Sequence, residues 1–255
     1  MTPTVVAHRG FAGVNPENTV GAVRAAADRA ALVEVDVVAC ADGTPVVFHD
    51  DRLDDGDGSR GITDGAGAVR NLHPSTVTAA GVLASGETVP SLDRLLAETD
   101  APLNVELKRP RAATVRRGAL PFAERAAARE RWQPFVDRVL SALDDRHVLL
   151  SSFSEGALAA VRERTADVEL APICREFGTG RELAARHDAD AIHPSLPALR
   201  AADPDAVAAT RDAGRTINAW TVRTWVEARD AVRAGADGLV ADYPGLERWL
   251  EESSG

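Results

Sequence analysis

Along the chain, short runs of β-branched and other apolar residues alternate with longer stretches whose apolar positions recur at helical spacing. The short runs are 4–7, 32–38, 103–107, 148–152, 168–173, 189–193, 216–220 and 238–241, and helical segments such as 20–31, 122–143, 154–164 and 222–234 lie between most of them. Alternation of this kind implies a parallel sheet, because parallel strands need a crossover and a helix supplies it. Eight repeats favour a closed (β/α)8 barrel over an open doubly wound sheet. The helix starts carry suitable caps: Asn18 or Thr19 after Pro16, Ser154 after a strand, and Asp203 followed by Pro204 in the first turn. No fixed-period repeat and no linker interrupts the order, so the expectation is one α/β domain over residues 1–255, a length that suits a barrel of roughly 250 residues.

One stretch breaks the rhythm. Residues 51–86 are rich in Gly, Asp, Ser and Thr, with only a weak helical piece near 74–80. A loop this long in a compact domain is usually functional. It follows His49 and Asp50 directly, so the segment 51–90 is expected to form an inserted lid or wall at the barrel mouth, after the second strand and its hairpin. Asp50, Asp51, Asp54, Asp55 and Asp57 with Gly56 and Gly58 faintly suggest a calcium loop, but the glutamate that closes an EF-hand loop is missing.

Composition narrows the function classes. Apolar residues make up 45% of the chain, enough for a sizeable core. A formal net charge of −10 argues against a general nucleic-acid binder, since a phosphate backbone needs a basic surface. No apolar run approaches the ~20 residues that span a bilayer, and the N-terminus lacks a basic segment followed by a signal-like apolar stretch. A cytoplasmic protein without stable membrane insertion is expected. Cys40 and Cys174 are read as two ordinary buried thiols. Lys108 is the sole lysine, the acidic excess being balanced almost wholly by arginine. That balance suits a high-salt cytoplasm, and GC-rich coding bias would give it too.

The chemistry concentrates at strand ends. In 34–50, alternation puts Glu34 and Asp36 on one face and Val35 and Val37 on the other. Asp42-Gly43 is a two-residue hairpin signal. With those two residues as the loop, Ala41 pairs with Thr44 and Asp36 stands opposite His49, side chains ~5 Å apart at Cβ. Asn104, Glu106 and Lys108 form a polar row on another strand, abnormal where parallel strands usually read as continuous apolar runs. Thr216 to Trp220 presents a polar-aromatic face. The first strand runs into His8-Arg9-Gly10, and active sites of such barrels lie at the C-terminal strand edge. Carboxylates pointing into a barrel are costly unless they bind a metal or a partner. Three of them favour one hard divalent cation, Mg²⁺ or Ca²⁺. Two histidines beside such a cluster and an Arg/Lys pair point to acid/base work on an anionic substrate. His73, His147 and His187 take the structural reading; His193, at a strand end, could border the pocket.

These segments carry a family resemblance. His8-Arg9-Gly10, Pro16-Glu17-Asn18-Thr19, Glu34-Val35-Asp36-Val37, Asp42-Gly43, Val47-Phe48-His49-Asp50, Pro90-Ser91-Leu92, Glu106-Leu107-Lys108, Ser152-Phe153, Ala219-Trp220-Thr221-Val222 and Gly238 to Pro244 resemble, in order, the glycerophosphodiester phosphodiesterases. The resemblance implies a TIM barrel. It implies Glu34, Asp36 and Glu106 as metal ligands, His8 and His49 as the acid/base pair, Arg9 and Lys108 as phosphate contacts, and Trp220 at the substrate pocket. The implied reaction is hydrolysis of a small glycerophosphodiester to glycerol phosphate and an alcohol, through water or through a cyclic phosphate. Its alternatives are a lysophospholipase D-like enzyme acting on lipid, or a non-catalytic phosphate-binding barrel. Two positions depart from the pattern: the segment after His49 is unusually acidic and glycine-rich, and Ala241 stands where threonine is common.

Overall fold

The structure, a computed structural model, describes residues 2–111 and 114–248. In chain order its elements are β1 (Thr4–Ala7), α1 (Val20–Ala27), β2 (Leu32–Ala39), β3 (Pro45–Val47), α2 (Pro74–Thr78), α3 (Leu92–Glu98), β4 (Leu103–Arg109), α4 (Phe122–Leu143), β5 (Val148–Ser152), α5 (Glu155–Arg164), β6 (Glu169–Cys174), α6 (Phe177–Arg186), β7 (Ala191–Pro194), α7 (Leu196–Arg200), α8 (Pro204–Asp212), β8 (Thr216–Val222), α9 (Trp225–Arg233) and β9 (Gly238–Ala241). Strand neighbours run β1-β9-β8-β7-β6-β5-β4-β2, all parallel, and β1 pairs with β2 to close the ring. This is the (β/α)8 barrel the alternation implies, with β3 added antiparallel to the outer edge of β2. Thr19 caps α1, its hydroxyl accepting from Ala22 N–H, and Asp203 caps α8. Ser154 occupies its cap position without a side-chain bond.

Alternation in each strand divides two environments. Val33, Val35 and Val37 of β2 and Leu103, Val105 and Leu107 of β4 face outward into a core shared with α1, α3, α4 and α5. Each such burial contributes about 1.5–3 kcal/mol, so the register of these strands is firmly held. The inward face carries polar groups instead. Glu34 is beside Asn104, and Asp36 beside Glu106, in the parallel β2–β4 register. Below them, Leu32, Leu149, Ala171 and Ala191 plug the barrel interior.

The hairpin register differs from the expectation by one residue. Val37, Val38 and Ala39 pair with Val47, Val46 and Pro45, and Cys40 N–H donates to the Thr44 carbonyl. The loop therefore holds three residues, not two. Gly43, at φ +89°, donates its N–H back to Cys40 O at 3.0 Å, a tight turn closed by a glycine in the left-handed region. Asp36 stands opposite Phe48, whose N–H donates to the Asp36 carbonyl at 2.9 Å, and His49 lies one residue further on.

Residues 51–90 are not structureless. Leu53, Val69, Val77, Ala80, Val82 and Val89 bury themselves with Val38, Cys40, Val46 and Phe48 of the hairpin, forming a core of their own. Asp54 spends its carboxylate on Arg52 and on the N–H groups of Gly56 and Gly67, a loop-folding role. Cys40 and Cys174 are free and buried, and burial pushes both thiols up to about 12.

Candidate active site

A cavity of about 300 Å³ opens at the C-terminal ends of the barrel strands. His8, Arg9, Glu34, His49, Glu106, Lys108 and Trp220 all line it. Asp36 lies directly beneath, fully buried. The structure thus brings every candidate residue into one place.

His8 to Gly10 make a single tight turn as the chain leaves β1. Arg9, Gly10 and Phe11 all take positive φ, and a Cβ on Gly10 would sit 2.8 Å from the backbone of Ala22. The turn aims Arg9 N–H at Glu34 Oε2 (2.9 Å) and its guanidinium at Glu17 Oε1 and Asp36 Oδ2, both 3.0 Å. Asp36 is the best supported of the acids. Asn18 Nδ2 donates to Oδ2 at 2.9 Å while Asn18 Oδ1 accepts the Asp36 N–H, and Lys108 Nζ lies 3.2 Å from Oδ1. Burial opposes its charge, yet Lys108 and Arg9 hold it well below the usual carboxylate range.

Glu34 and Glu106 are less well served. Lys108 lies 3.1 Å from Glu106 Oε1, but Glu34 Oε1 has no hydrogen-bond partner among the described residues. Burial, followed by repulsion from Asp36 and Glu106, pushes Glu34 well above its ordinary value, and burial raises Glu106 against the pull of Lys108. The carboxylate oxygens of Glu34, Asp36 and Glu106 lie within 4.8 Å of one another, the one such cluster among the described residues. An orphaned buried oxygen and an excess of acid over base are what a divalent cation would correct, so the donor set fits an oxygen-seeking ion.

Each histidine rests on a carboxylate of its own. His8 Nδ1 is 2.6 Å from Asp242 Oδ1, and Arg223 Nε binds the other Asp242 oxygen at 2.7 Å. His49 Nδ1 is 2.6 Å from Asp50 Oδ1, and Arg60 ties Asp50 to Glu17. Both contacts leave Nε2 toward the cavity and fix the ring's orientation. Burial lowers both imidazoles; Asp242 resists this at His8, and Asp36 and Asp50 resist it at His49. Sequence alone assigns Asp242 and Glu17 no role and reads Asn18 as a helix cap and Asp50 as part of a faint calcium loop; none of the four is expected at the site. Asp242 belongs to a segment of the family resemblance, but its partner lies 234 residues away, beyond any local pattern. His193 borders the cavity and pairs with Asn218 at 3.0 Å; burial alone drops it to about 4, so it stays neutral. His73 caps α2, His187 lies 3.4 Å from Glu155, and His147 is exposed at the α4–β5 junction, all outside the cavity.

The family model described as the glycerophosphoryl diester phosphodiesterase family matches residues 8–246. The chain belongs to that family. Its members' reaction class makes it a phosphoric diester hydrolase. The chain is similar to a probable glycerophosphodiester phosphodiesterase 2 of Mycobacterium tuberculosis, 30% identical over 95% of this chain and 88% of that protein. It is also similar to a glycerophosphodiester phosphodiesterase of Caldanaerobacter subterraneus, 25% identical over 96% of both. Among solved structures, an Oleispira antarctica phosphodiesterase in complex with the product sn-glycerol-3-phosphate superposes with a TM-score of 0.77 at 23% identity, covering 100% of this chain and 98% of the other. At that identity the likeness shows the shared barrel. No described helix is long and apolar enough to cross a membrane.

Proposed function

We propose that this family member hydrolyses small glycerophosphodiesters to glycerol phosphate and an alcohol, with His8 and His49 moving the protons. The observation that carries the reading is the pair of carboxylate-anchored imidazoles lining the same cavity as the buried Glu34–Asp36–Glu106 cluster. Those three acids would hold the cation, Mg²⁺ or Ca²⁺, whose chemistry when bound is to offset charge on the phosphate oxygens. Arg9 and Lys108 add fixed positive charge at the same end and orient the diester. One histidine, neutral at Nε2, takes a proton from the attacking water or hydroxyl; the other gives one to the departing alkoxide. Asp242 and Asp50 act as positioning residues, holding each ring in the tautomer that exposes Nε2. The 51–90 segment contributes Asp51, Asp57, Gly58 and Ser59 to a neighbouring hollow that shares His49 and Lys108 with the cavity.

The test is a panel of glycerophosphodiesters assayed with and without EDTA, alongside His49→Ala. Loss of turnover under either treatment is expected, and activity that survives both overturns the reading. A lipid-bearing substrate has one observation in its favour. Val14, Phe122, Trp225, Val226 and Tyr243 are exposed on segments that follow the C-terminal ends of β1, β4, β8 and β9, the end of the barrel at which the cavity opens. Turnover of micellar lysophosphatidylcholine in preference to glycerophosphocholine would select that version.

A further inference from the structure

Two arginines at the cavity mouth take no part in the chemistry above. Arg9, Arg60, Arg109 and Arg223, around the same mouth, each lie within ion-pair distance of a carboxylate. Arg117 and Arg175 line the cavity with no carboxylate partner among the described residues. Aromatic rings hold them instead. The Arg117 guanidinium is centred 5.1 Å from the Phe153 ring, and that of Arg175 lies 6.0 Å from Phe153 and 5.2 Å from Trp220. The shelf beneath them is fixed, since Phe153 and Trp220 meet edge to face at 5.3 Å and Trp220 Nε1 donates to the His193 carbonyl at 2.8 Å. A guanidinium stacked on a ring keeps its in-plane N–H donors free.

We propose that Arg117 and Arg175 form a second anion subsite, which takes a phosphate carried by the alcohol half of the substrate. The proposal rests on the diesterase reading above and narrows its substrate class. In a chain of net charge −10, Arg9 and Lys108 are already paired with Glu17, Asp36 and Glu106, so the cations of this cavity left to meet an anion on the substrate are Arg117 and Arg175. Paired guanidiniums meet phosphate oxygens with parallel, charge-assisted hydrogen bonds. A quaternary ammonium headgroup would need the open faces of Phe153 and Trp220, and those faces carry cations already.

Three substrates decide it: glycerophosphoglycerol, the same diester phosphorylated on its alcohol glycerol, and glycerophosphocholine. The wild-type protein is expected to favour the phosphorylated diester over glycerophosphoglycerol in kcat/KM by roughly tenfold or more at low salt, and to handle glycerophosphocholine worst. Arg117→Gln with Arg175→Gln should erase that preference while leaving glycerophosphoglycerol turnover little changed. An equal loss on all three substrates would show that these arginines grip the scissile phosphate and would overturn the proposal, as would glycerophosphocholine being the best substrate. Calorimetric binding of the two glycerol diesters to both proteins decides the matter apart from turnover. Tighter binding of the phosphorylated diester, lost in the double variant, upholds the subsite even if nothing is hydrolysed, in which case the diesterase reading alone falls. Equal binding of the two rejects the subsite.

Discussion

Asp242 and Asp50 make the same kind of contact with different histidines, yet they are built differently. Asp50 follows His49 in the chain, whereas Asp242 reaches His8 from the far end of the sequence and is itself steadied by Arg223. In both, the carboxylate is held below its ordinary value by its histidine and an arginine, against the cost of burial. Asp242→Asn keeps the shape but no longer favours an imidazole with its proton on Nδ1. Steady-state kinetics should show kcat falling about 10- to 100-fold with KM nearly unchanged, a size typical of lost orienting partners. A variant with unaltered kcat would remove Asp242 from the proton path. Asn18 makes a second residue-scale case. It is buried, bonds both the carboxylate and the N–H of Asp36, and sits at φ +58°, a region asparagine tolerates. Asn18→Ala should cost on the order of 1–3 kcal/mol in urea denaturation, because it strands buried groups of Asp36.

At the scale of elements, the β2–β3 hairpin shows how far local pattern carries. Its strands, its glycine and its buried hydrophobic faces were legible, and its register was misjudged by one residue. Asp42-Gly43 reads as a two-residue loop, but Asp42 turns its carboxylate onto Thr44 N–H and Oγ1, and Ala41 joins the loop. The outward Val37 and Val47, buried in the barrel core, fix the register that results. Gly43→Ala forces a Cβ into a left-handed position and should lower stability by about 1 kcal/mol in a thermal melt. Turnover should persist, since core packing and not the loop sets where Asp36 points. The inward acids were readable for the opposite reason: a charged row is so unfavourable in a buried parallel strand that its presence demands a use. What pattern could not supply were the closures across distance. Asn18 on Asp36 joins the loop after β1 to the neighbouring strand, the Arg117–Phe153–Arg175 stack joins loops that follow neighbouring strands, and Asp242 on His8 joins segments that meet only when the ring is shut.

For the molecule as a whole, charge balance around the mouth governs the response to solvent. Arg60 bridges Asp50 and Glu17, and both acids are depressed by it against burial. Depressed acids contribute stability that is fully present above their ordinary values and is lost as pH falls through the lowered ones. Arg60→Met should therefore lower the melting temperature most at neutral pH, and its gap from the parent should narrow as pH drops below the carboxylate range. A gap that widens on acidification would contradict this bridge. Cation binding makes a complementary prediction. Mg²⁺ or Ca²⁺ at about 100 times its Kd should stabilise the fold by about 2.7 kcal/mol, through binding to the folded state alone. Glu106→Gln should blunt that shift in a thermal melt.

The seam where β1 pairs with both β2 and β9 has a further meaning for the making of the protein. His8 leaves the ribosome 234 residues ahead of Asp242, with the ring closing only when β9 slots in beside β1. A nascent chain can thread, pack its first helices and even gather Glu34, Asp36 and Glu106 while His8 still lacks its anchor. Full activity is thereby deferred until β9 has been made, so chains cut short before β9 should be silent toward phosphodiesters.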